Sequence, residues 1–183
     1  MIRFFDFLFS FVGLILFSPI FLTVIVITFF DTGSPIFRQE RVGKHKNPFN
    51  LMKFRSMHIN APSVATHLAS SSCITPFGSF LRKSKLDELP QLWNVLVGDM
   101  SLVGPRPNLF NQEELIEERS SRGVYSVRPG ITGLSQINKI DMSTPRFLAE
   151  TDAKMIQSLD VLNYFKYIFL TIFGKGFGDR VKN

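Results

Sequence analysis

The stretch FLFSFVGLILFSPIFLTVIVITFF, residues 7–30, decides the fold class of this chain because it is apolar and carries no charge along its whole length. At about 1.5 Å of rise per helical residue, a run of this length can cross the hydrocarbon core of a bilayer. It is longer than the apolar core of a cleavable signal peptide, and no obvious small-residue cleavage site follows it. We therefore expect residues 1–31 to form a permanent membrane anchor.

Ser18 and Pro19 interrupt this run near its middle. Proline removes one helical hydrogen bond and clashes with the carbonyl four residues earlier, so a kink is expected there. A kinked helix that spans the membrane and a helix that turns back both fit a proline at this point. Positive charge on both flanks favours the re-entrant alternative, because a hairpin would place both flanks on the cytoplasmic side. These flanking residues are Arg3, Arg38, Arg41, Lys44 and Lys46.

The remainder, residues 32–183, is expected to form one compact domain, because a chain of 183 residues fits a single domain by size. The formal charge of +6 favours an anionic partner, which could be a nucleic acid, a phospholipid surface or a phosphorylated substrate. The single cysteine, Cys73, cannot form an internal disulfide and suits a reducing compartment. The 20 phenylalanines, against 3 tyrosines and 1 tryptophan, indicate that part of the chain meets lipid.

Turn residues and apolar patterning predict an α+β fold that is mainly helical. Residues 32–57 alternate glycine and proline with β-prone segments, which predicts a small β-hairpin. Residues 59–72 lack a clear period and are expected to be a loop that could include one helical turn. Helices are expected around 89–97 and 111–121. Residues 159–173 form an amphipathic stretch that suits either a helix in the membrane interface or a helix packed in the core.

Asp87 and Glu88 are the strongest candidates for chemistry, because they are adjacent carboxylates at a predicted helix start. Ser84 stands three residues before Asp87, as in a capping box, and Pro90 is tolerated only in a first turn. The structural alternative is that Asp87 merely caps this helix. The functional one is that a helix N-terminus attracts phosphate, so that an aspartate there could attack phosphorus while its neighbour helps to hold Mg²⁺.

Phosphoryl chemistry would need basic groups around these acids, and three segments offer them. Lys53 and Arg55 lie two residues apart, which on a strand puts them on one face. Arg106 stands between two prolines, and Arg128 precedes Pro-Gly, which suits the centre of a type II turn. Arg82 lies one to two turns before the acids. Each of these side chains could instead belong to an ordinary solvated strand or turn.

Taken together, KFRSM at 53–57, LRKSKLDELPQLWNVLVGDMSLVGPRP at 81–107 and VRPGITGLSQIN at 127–138 resemble the bacterial sugar transferase family. These motifs follow an apolar segment with Ser-Pro, and the resemblance covers nearly the whole chain. The family comprises monotopic phosphoglycosyl transferases, and the small size here is similar to that of its minimal members, with no preceding multi-helix region.

The resemblance implies a membrane helix that re-enters at Ser18-Pro19 and amphipathic helices that seat the active site at the cytoplasmic face of the bacterial inner membrane. It also implies a ping-pong reaction in which Asp87 is the nucleophile and Glu88 supports Mg²⁺ and catalysis. The basic residues that it assigns to substrate or structure are Lys53, Arg82, Arg106 and Arg128.

We therefore expect a transferase that moves a sugar 1-phosphate from a UDP-sugar to undecaprenyl phosphate and starts assembly of a surface glycan. The stretches 107–112 and 140–152 are similar to those of members that act on N-acetylated dideoxy sugars. The alternative is a membrane-tethered adaptor whose basic face binds anionic lipid or nucleic acid without catalysis. An adaptor would have no use for an Asp-Glu pair among proline-framed arginines, so an enzyme that contacts phospholipid but no nucleic acid is favoured.

Overall fold

In a computed structural model, which describes residues 1–61 and 71–175, the chain is mainly helical with two small two-stranded sheets. The expected mainly helical α+β class is therefore confirmed. Most of the loop expected at 59–72 lies outside the described residues. The elements in chain order are α1 (Ile2–Leu16), α2 (Ser18–Thr32), β1 (Ile36–Val42), β2 (Pro48–Phe54), α3 (Pro76–Ser84), α4 (Gln91–Val97), β3 (Ser101–Val103), α5 (Glu113–Ser121), β4 (Gly130–Thr132), α6 (Leu134–Ile137), α7 (Pro145–Gln157) and α8 (Val161–Leu170).

The apolar N-terminal run is broken where the sequence predicts it. Helix α1 ends at Leu16 and α2 begins at Ser18, with Pro19 in the first turn, where a missing N–H costs no helical bond. The two helices are bent by 62° relative to each other. Within the described ranges, no single helix is long and apolar enough to cross a membrane, although α1 and α2 meet that test as a bent pair.

The start of α1 is joined to the rest of the chain through a buried carboxylate. Asp6 is 1 % exposed, and its Oδ1 accepts hydrogen bonds of 2.9 Å from the Ser101 hydroxyl, the Leu102 N–H and the Tyr164 hydroxyl. Burial and the neighbouring Asp6 carboxylate raise the pKa of Tyr164, so its hydroxyl remains a donor. The first helix is thus tied to β3 and α8.

Two further contacts hold the ends of the helix pair. Arg3 donates to the carbonyls of Val95, at 2.6 Å, and Leu96, at 3.0 Å, in the last turn of α4. At the other end, Asp31 accepts a bond of 2.6 Å from the hydroxyl of Thr75, which caps α3. Arg3 therefore has a structural role beyond that of a flanking charge, and both ends of the pair contact the part of the chain that carries α3 and α4.

The predicted hairpin is confirmed as the antiparallel pair β1 and β2. In its register, Phe37 lies opposite Lys53, Gln39 opposite Leu51 and Arg41 opposite Phe49. Directly opposite residues share a face of the sheet, and this face is largely buried. The hairpin therefore carries Lys53 into the interior.

The parallel strands β3 and β4 bring the two remaining basic motifs together. The chain after β3 folds back over Gly130, whose N–H donates to the Pro105 carbonyl at 2.9 Å. A Cβ at Gly130 would lie 2.0 Å from the backbone nitrogen of Gly104, so only glycine permits this approach. The predicted type II turn at Pro129-Gly130 is wrong: Gly130 begins β4, and its φ lies outside the left-handed region that such a turn requires there.

Helix α8 has one buried face and one exposed apolar face. Tyr164 and Tyr167 are buried and pack with Val103 and Met155, as expected for a core helix. Leu162 and Phe169 on the outer side are 77 % and 59 % exposed. Core packing is confirmed for the inner face, while contact of the outer face with a membrane interface stays a prediction.

Candidate active site

The acid pair lies in a single 3₁₀ turn, Leu86–Glu88, and Leu89 and Pro90 connect this turn to α4. Lys85 has a left-handed φ of 59° and separates this turn from α3. The predicted cap by Ser84 is wrong, because its hydroxyl donates back to the carbonyls of Phe80 and Leu81 at the end of α3. The acids therefore precede α4 as expected, without a capping box, and Glu88 is held by tertiary contacts.

Both acids are shielded from solvent, with Asp87 4 % and Glu88 9 % exposed. Glu88 Oε1 accepts a hydrogen bond from Lys53 Nζ at 3.2 Å and another from Arg106 Nη2 at 3.1 Å. Charge-assisted bonds of this kind are strong when the partners are partly buried. The structure thus brings together three of the predicted site residues from the hairpin, the acid turn and the Gly-Pro-Arg-Pro loop.

Hydrogen bonds to backbone carbonyls, in addition to the two flanking prolines, fix the loop that carries Arg106. Arg119 donates to the Arg106 carbonyl at 2.8 Å, and Arg41 donates to the Pro107 carbonyl at 3.2 Å. These bonds restrict a loop whose φ angles the prolines already limit. The guanidinium of Arg106 therefore projects from a stiff support toward Glu88.

A narrow cleft of about 10 Å³ beside the acids has Arg41, Lys53, Gln91 and Arg106 among its lining residues, and we call it the cationic cleft. Sequence reasoning used Arg41 only as a flanking charge and did not select Gln91. The strand alternation could have found Arg41, since it shares the buried face of β1 with Gln39, two residues earlier. Three positive side chains in one cleft suit a ligand with several negative charges.

On another side of Glu88 lies a larger opening of about 400 Å³, which we call the apolar cavity. It extends from Phe17, at the bend of the N-terminal helices, to Ile172, after α8. Polar groups occur along part of its wall, among them Lys85, Thr132 and Gln136. The other apolar lining residues are Leu86, Leu89, Leu92, Leu102, Ile131 and Ile168.

Three other predicted basic residues make their described hydrogen bonds away from the acids. Arg55 lies just beyond β2, and its Nε donates to the Ser34 carbonyl at 2.8 Å. Arg82 Nε donates to the Ser56 hydroxyl at 2.9 Å. A substrate contact for either of these residues stays a prediction.

Arg128 is the third of these residues, and its Nε donates to the Gly98 carbonyl at 2.7 Å. Gly98 follows the C-terminal end of α4, whereas the acids precede the N-terminal end of that helix. Since α4 rises by about 1.5 Å per residue, the bond lies roughly 10 Å along the helix from its start. Arg128 therefore supports α4 from the end opposite the acids.

Asp87 and Glu88 have the chemistry of a partial Mg²⁺ site. Mg²⁺ commonly binds one or two protein carboxylates and completes its shell with water and substrate phosphate. In the part of the chain that the structure describes, no cluster of three or more His, Cys, Asp or Glu residues could hold a metal by itself. A Mg²⁺ ion shared between this acid pair and a phosphorylated substrate stays a prediction.

Comparison with known proteins gives consistent matches. The model of the family described as bacterial sugar transferase matches residues 1–176. A UDP-glucose:undecaprenyl-phosphate glucose-1-phosphate transferase of Klebsiella pneumoniae is 40 % identical over 187 residues, covering 96 % of this chain and 40 % of that protein. The Escherichia coli K12 protein of the same name is 38 % identical, over 91 % of this chain and 38 % of its own length.

A third relative is the UDP-N-acetylgalactosamine-undecaprenyl-phosphate N-acetylgalactosaminephosphotransferase of Aeromonas hydrophila. It is 36 % identical over 96 % of this chain and 44 % of its own length. The chain thus spans less than half the length of each of these three relatives.

Proposed function

The chain belongs to the bacterial sugar transferase family, and from that premise we propose that it transfers a sugar 1-phosphate from a UDP-sugar to undecaprenyl phosphate, with release of UMP. The relatives' names support this reaction type, because they pair UDP-sugars with undecaprenyl phosphate. Those names include glucose and N-acetylgalactosamine, so they leave the sugar of this chain open. The product would start assembly of a surface glycan.

The observation that carries this proposal is the position of Glu88. Its carboxylate bonds Lys53 and Arg106, which line the cationic cleft, and Glu88 also lines the apolar cavity. A polar phosphate donor and a lipid acceptor need binding surfaces of opposite character that meet at the reacting atoms. The basic side chains that line the cationic cleft suit the phosphate oxygens of the donor, and the apolar cavity, of about 400 Å³, suits the first isoprene units of the acceptor.

The chemistry that we propose has two half-reactions. An Asp87 carboxylate oxygen attacks the sugar-bearing phosphorus of the donor, and the bond from that phosphorus to the bridging oxygen breaks as UMP leaves. A phosphate oxygen of undecaprenyl phosphate then attacks the same phosphorus, which forms the lipid diphosphate and frees Asp87. The burial of Asp87 would limit attack by water on the aspartyl phosphate between these steps.

The surrounding basic side chains would neutralise negative charge on the reacting phosphates. Lys53 and Arg106 would neutralise the phosphoryl oxygens as negative charge redistributes in the transition state. A Mg²⁺ ion held by Asp87 and Glu88 would supply further neutralisation of the diphosphate. Their 3₁₀ turn and the stiff Arg106 loop would keep these groups oriented.

We also propose that α1 and α2 enter and leave the inner membrane on its cytoplasmic side. The 62° bend and the attachment of both ends to one catalytic portion, through Asp6 and Asp31, support this placement. A straight spanning helix would separate those ends by the thickness of the bilayer. The exposed apolar side chains of α1, α2 and α8 would then contact phospholipid.

Membrane topology tests the re-entrant arrangement. In a Cys73→Ser background, Ile2→Cys and Arg38→Cys should both resist a membrane-impermeant thiol reagent in intact spheroplasts and react after permeabilisation. The reason is that both ends of the helix pair would face the cytoplasm. Labelling of Ile2→Cys but not of Arg38→Cys in intact spheroplasts would show a spanning helix instead.

The activity itself is tested by incubating the purified chain with Mg²⁺, undecaprenyl phosphate and a panel of UDP-sugars. The panel should include UDP-glucose, UDP-N-acetylgalactosamine and a UDP-linked N-acetylated dideoxy sugar, and UMP release should be measured. We expect multiple turnovers with at least one donor and only when the acceptor is present. If no donor releases UMP while the protein still binds anionic vesicles, the non-catalytic adaptor becomes the better explanation.

A further inference from the structure

Arg119 and Asp152 form an ion pair that lies almost completely out of solvent. Their side chains are 1 % and 0 % exposed, and they join α5 to α7. Two hydrogen bonds connect them, from Arg119 Nε at 3.0 Å and from Nη2 at 2.6 Å, both to Asp152 Oδ2. Neither residue lines the cationic cleft or the apolar cavity.

Stability alone is a poor reason for such a pair. Removing two charges from water is costly, and apolar residues of similar volume often stabilise a fold equally well. The remaining hydrogen-bonding atoms of a buried ion pair can orient other polar groups, which is a role that apolar residues cannot fill. The functional question is therefore where the other atoms of Arg119 and Asp152 point.

The remaining polar atoms of Arg119 and Asp152 bond to the Arg106 loop and to α6. Arg119 Nη1 donates to the Arg106 carbonyl at 2.8 Å and to Asn108 Oδ1 at 2.9 Å. Asp152 Oδ1 accepts a bond of 2.6 Å from the Ser135 hydroxyl in α6, directly after β4. The pair thus joins the loop that carries Arg106 to the segment that follows β4.

Arg106 is the one residue of this set that also reaches the acid pair, since its Nη2 donates to Glu88 at 3.1 Å. We propose that Arg119 and Asp152 are positioning residues. They fix the position of Arg106, so that its guanidinium lies next to the phosphoryl group that is transferred. Ser135 keeps Asp152 oriented within this array. The inference rests on the proposed transferase function.

A double-mutant cycle tests the coupling, with steady-state UMP release measured over a range of donor concentrations for each variant in the full chain. Asp152→Asn should lower kcat by roughly 10-fold or more and change the donor KM by less than about 3-fold, because the lost interaction acts on transition-state charge. In an Arg106→Ala background, the same substitution should change kcat by less than about 2-fold, because the group that it positions is gone. A merely structural role would give equal losses in both backgrounds.

Glu150→Gln is the matched control. Glu150 also joins α7 to Arg122, the residue that follows α5, at 3.4 Å, but this contact is partly exposed and does not reach Arg106. Its kcat should stay within about 2-fold of wild type, as is usual for surface pairs. A loss as large as that of Asp152→Asn would mean that any break between these helices lowers activity.

If Asp152→Asn does not fold, Ser135→Ala provides the test, because it removes the hydroxyl that donates to Asp152 and leaves the ion pair with Arg119 intact. It should lower kcat measurably in the wild-type background and not in the Arg106→Ala background. Equal effects in both backgrounds would overturn the inference. Absence of UMP release from the wild-type chain with every donor would overturn the proposed function, and this inference with it.

Discussion

Asp87→Asn is expected to abolish both UMP release and the appearance of a phosphosugar on the protein. The wild-type chain, given donor and Mg²⁺ without lipid, should release about one UMP per active site and gain a matching mass on the peptide that contains Asp87. The reason is that the first half-reaction needs only the carboxylate nucleophile and the donor. Quantifying UMP and mapping the modified peptide by mass spectrometry measure both results.

Glu88→Gln is the control for the loss of a neighbouring charge. It removes the carboxylate that Lys53 and Arg106 contact but keeps the nucleophile. We expect turnover to fall by about 10²–10³-fold, the scale of losing one electrostatic stabiliser, with a slow first half-reaction still detectable. If Asp87→Asn stayed within about tenfold of wild type, direct attack of the lipid phosphate on the donor would replace the covalent mechanism.

Chelation should have the second largest effect: turnover should vanish in excess EDTA and return when Mg²⁺ is added back. The diphosphate of the donor needs a cation that brings its oxygens to the two carboxylates of Asp87 and Glu88. Steady-state UMP release, measured before and after Mg²⁺ is restored, tests this expectation.

The melting temperature provides a control for that experiment. Asp87 and Glu88 supply only part of a Mg²⁺ shell, so EDTA should leave the melting temperature of the substrate-free protein nearly unchanged. Loss of activity together with unfolding would indicate a structural metal instead. Full turnover in chelator would refute the Mg²⁺ proposal.

Local patterns predicted the elements whose cause lies within a few neighbouring residues. The break at Ser18-Pro19 follows from the missing proline N–H, and the hairpin follows from turn residues between β-prone segments. The expected helices at 89–97 and 111–121 correspond to α4 and α5.

Helices α3, α6 and α7 were not predicted, although for α3 and α7 the sequence carries a signal. Helices α3 and α7 each begin at a proline that follows a threonine, at Thr75-Pro76 and Thr144-Pro145. A polar residue followed by proline is typical of a helix start. In α3 the signal has its usual cause, because the Thr75 hydroxyl accepts a bond from the Gly78 N–H.

By itself, the sequence determined which residue types were available to the site and that Asp87 and Glu88 precede a helix. Only the tertiary structure decided which cations meet them. Lys53 and Arg106 reach Glu88, whereas the described bonds of Arg55 and Arg128 are made to Ser34 and Gly98.

The array behind Arg106 was equally hidden, because Arg119 and Asp152 lie 33 residues apart on different helices. The physical reason is the separation along the chain of the residues that determine each feature. Helix starts and strand alternation depend on bonds between near neighbours, whereas the meeting of Lys53 with Glu88, across 35 residues, depends on the register of β1 with β2 and on where the chain folds back over Gly130.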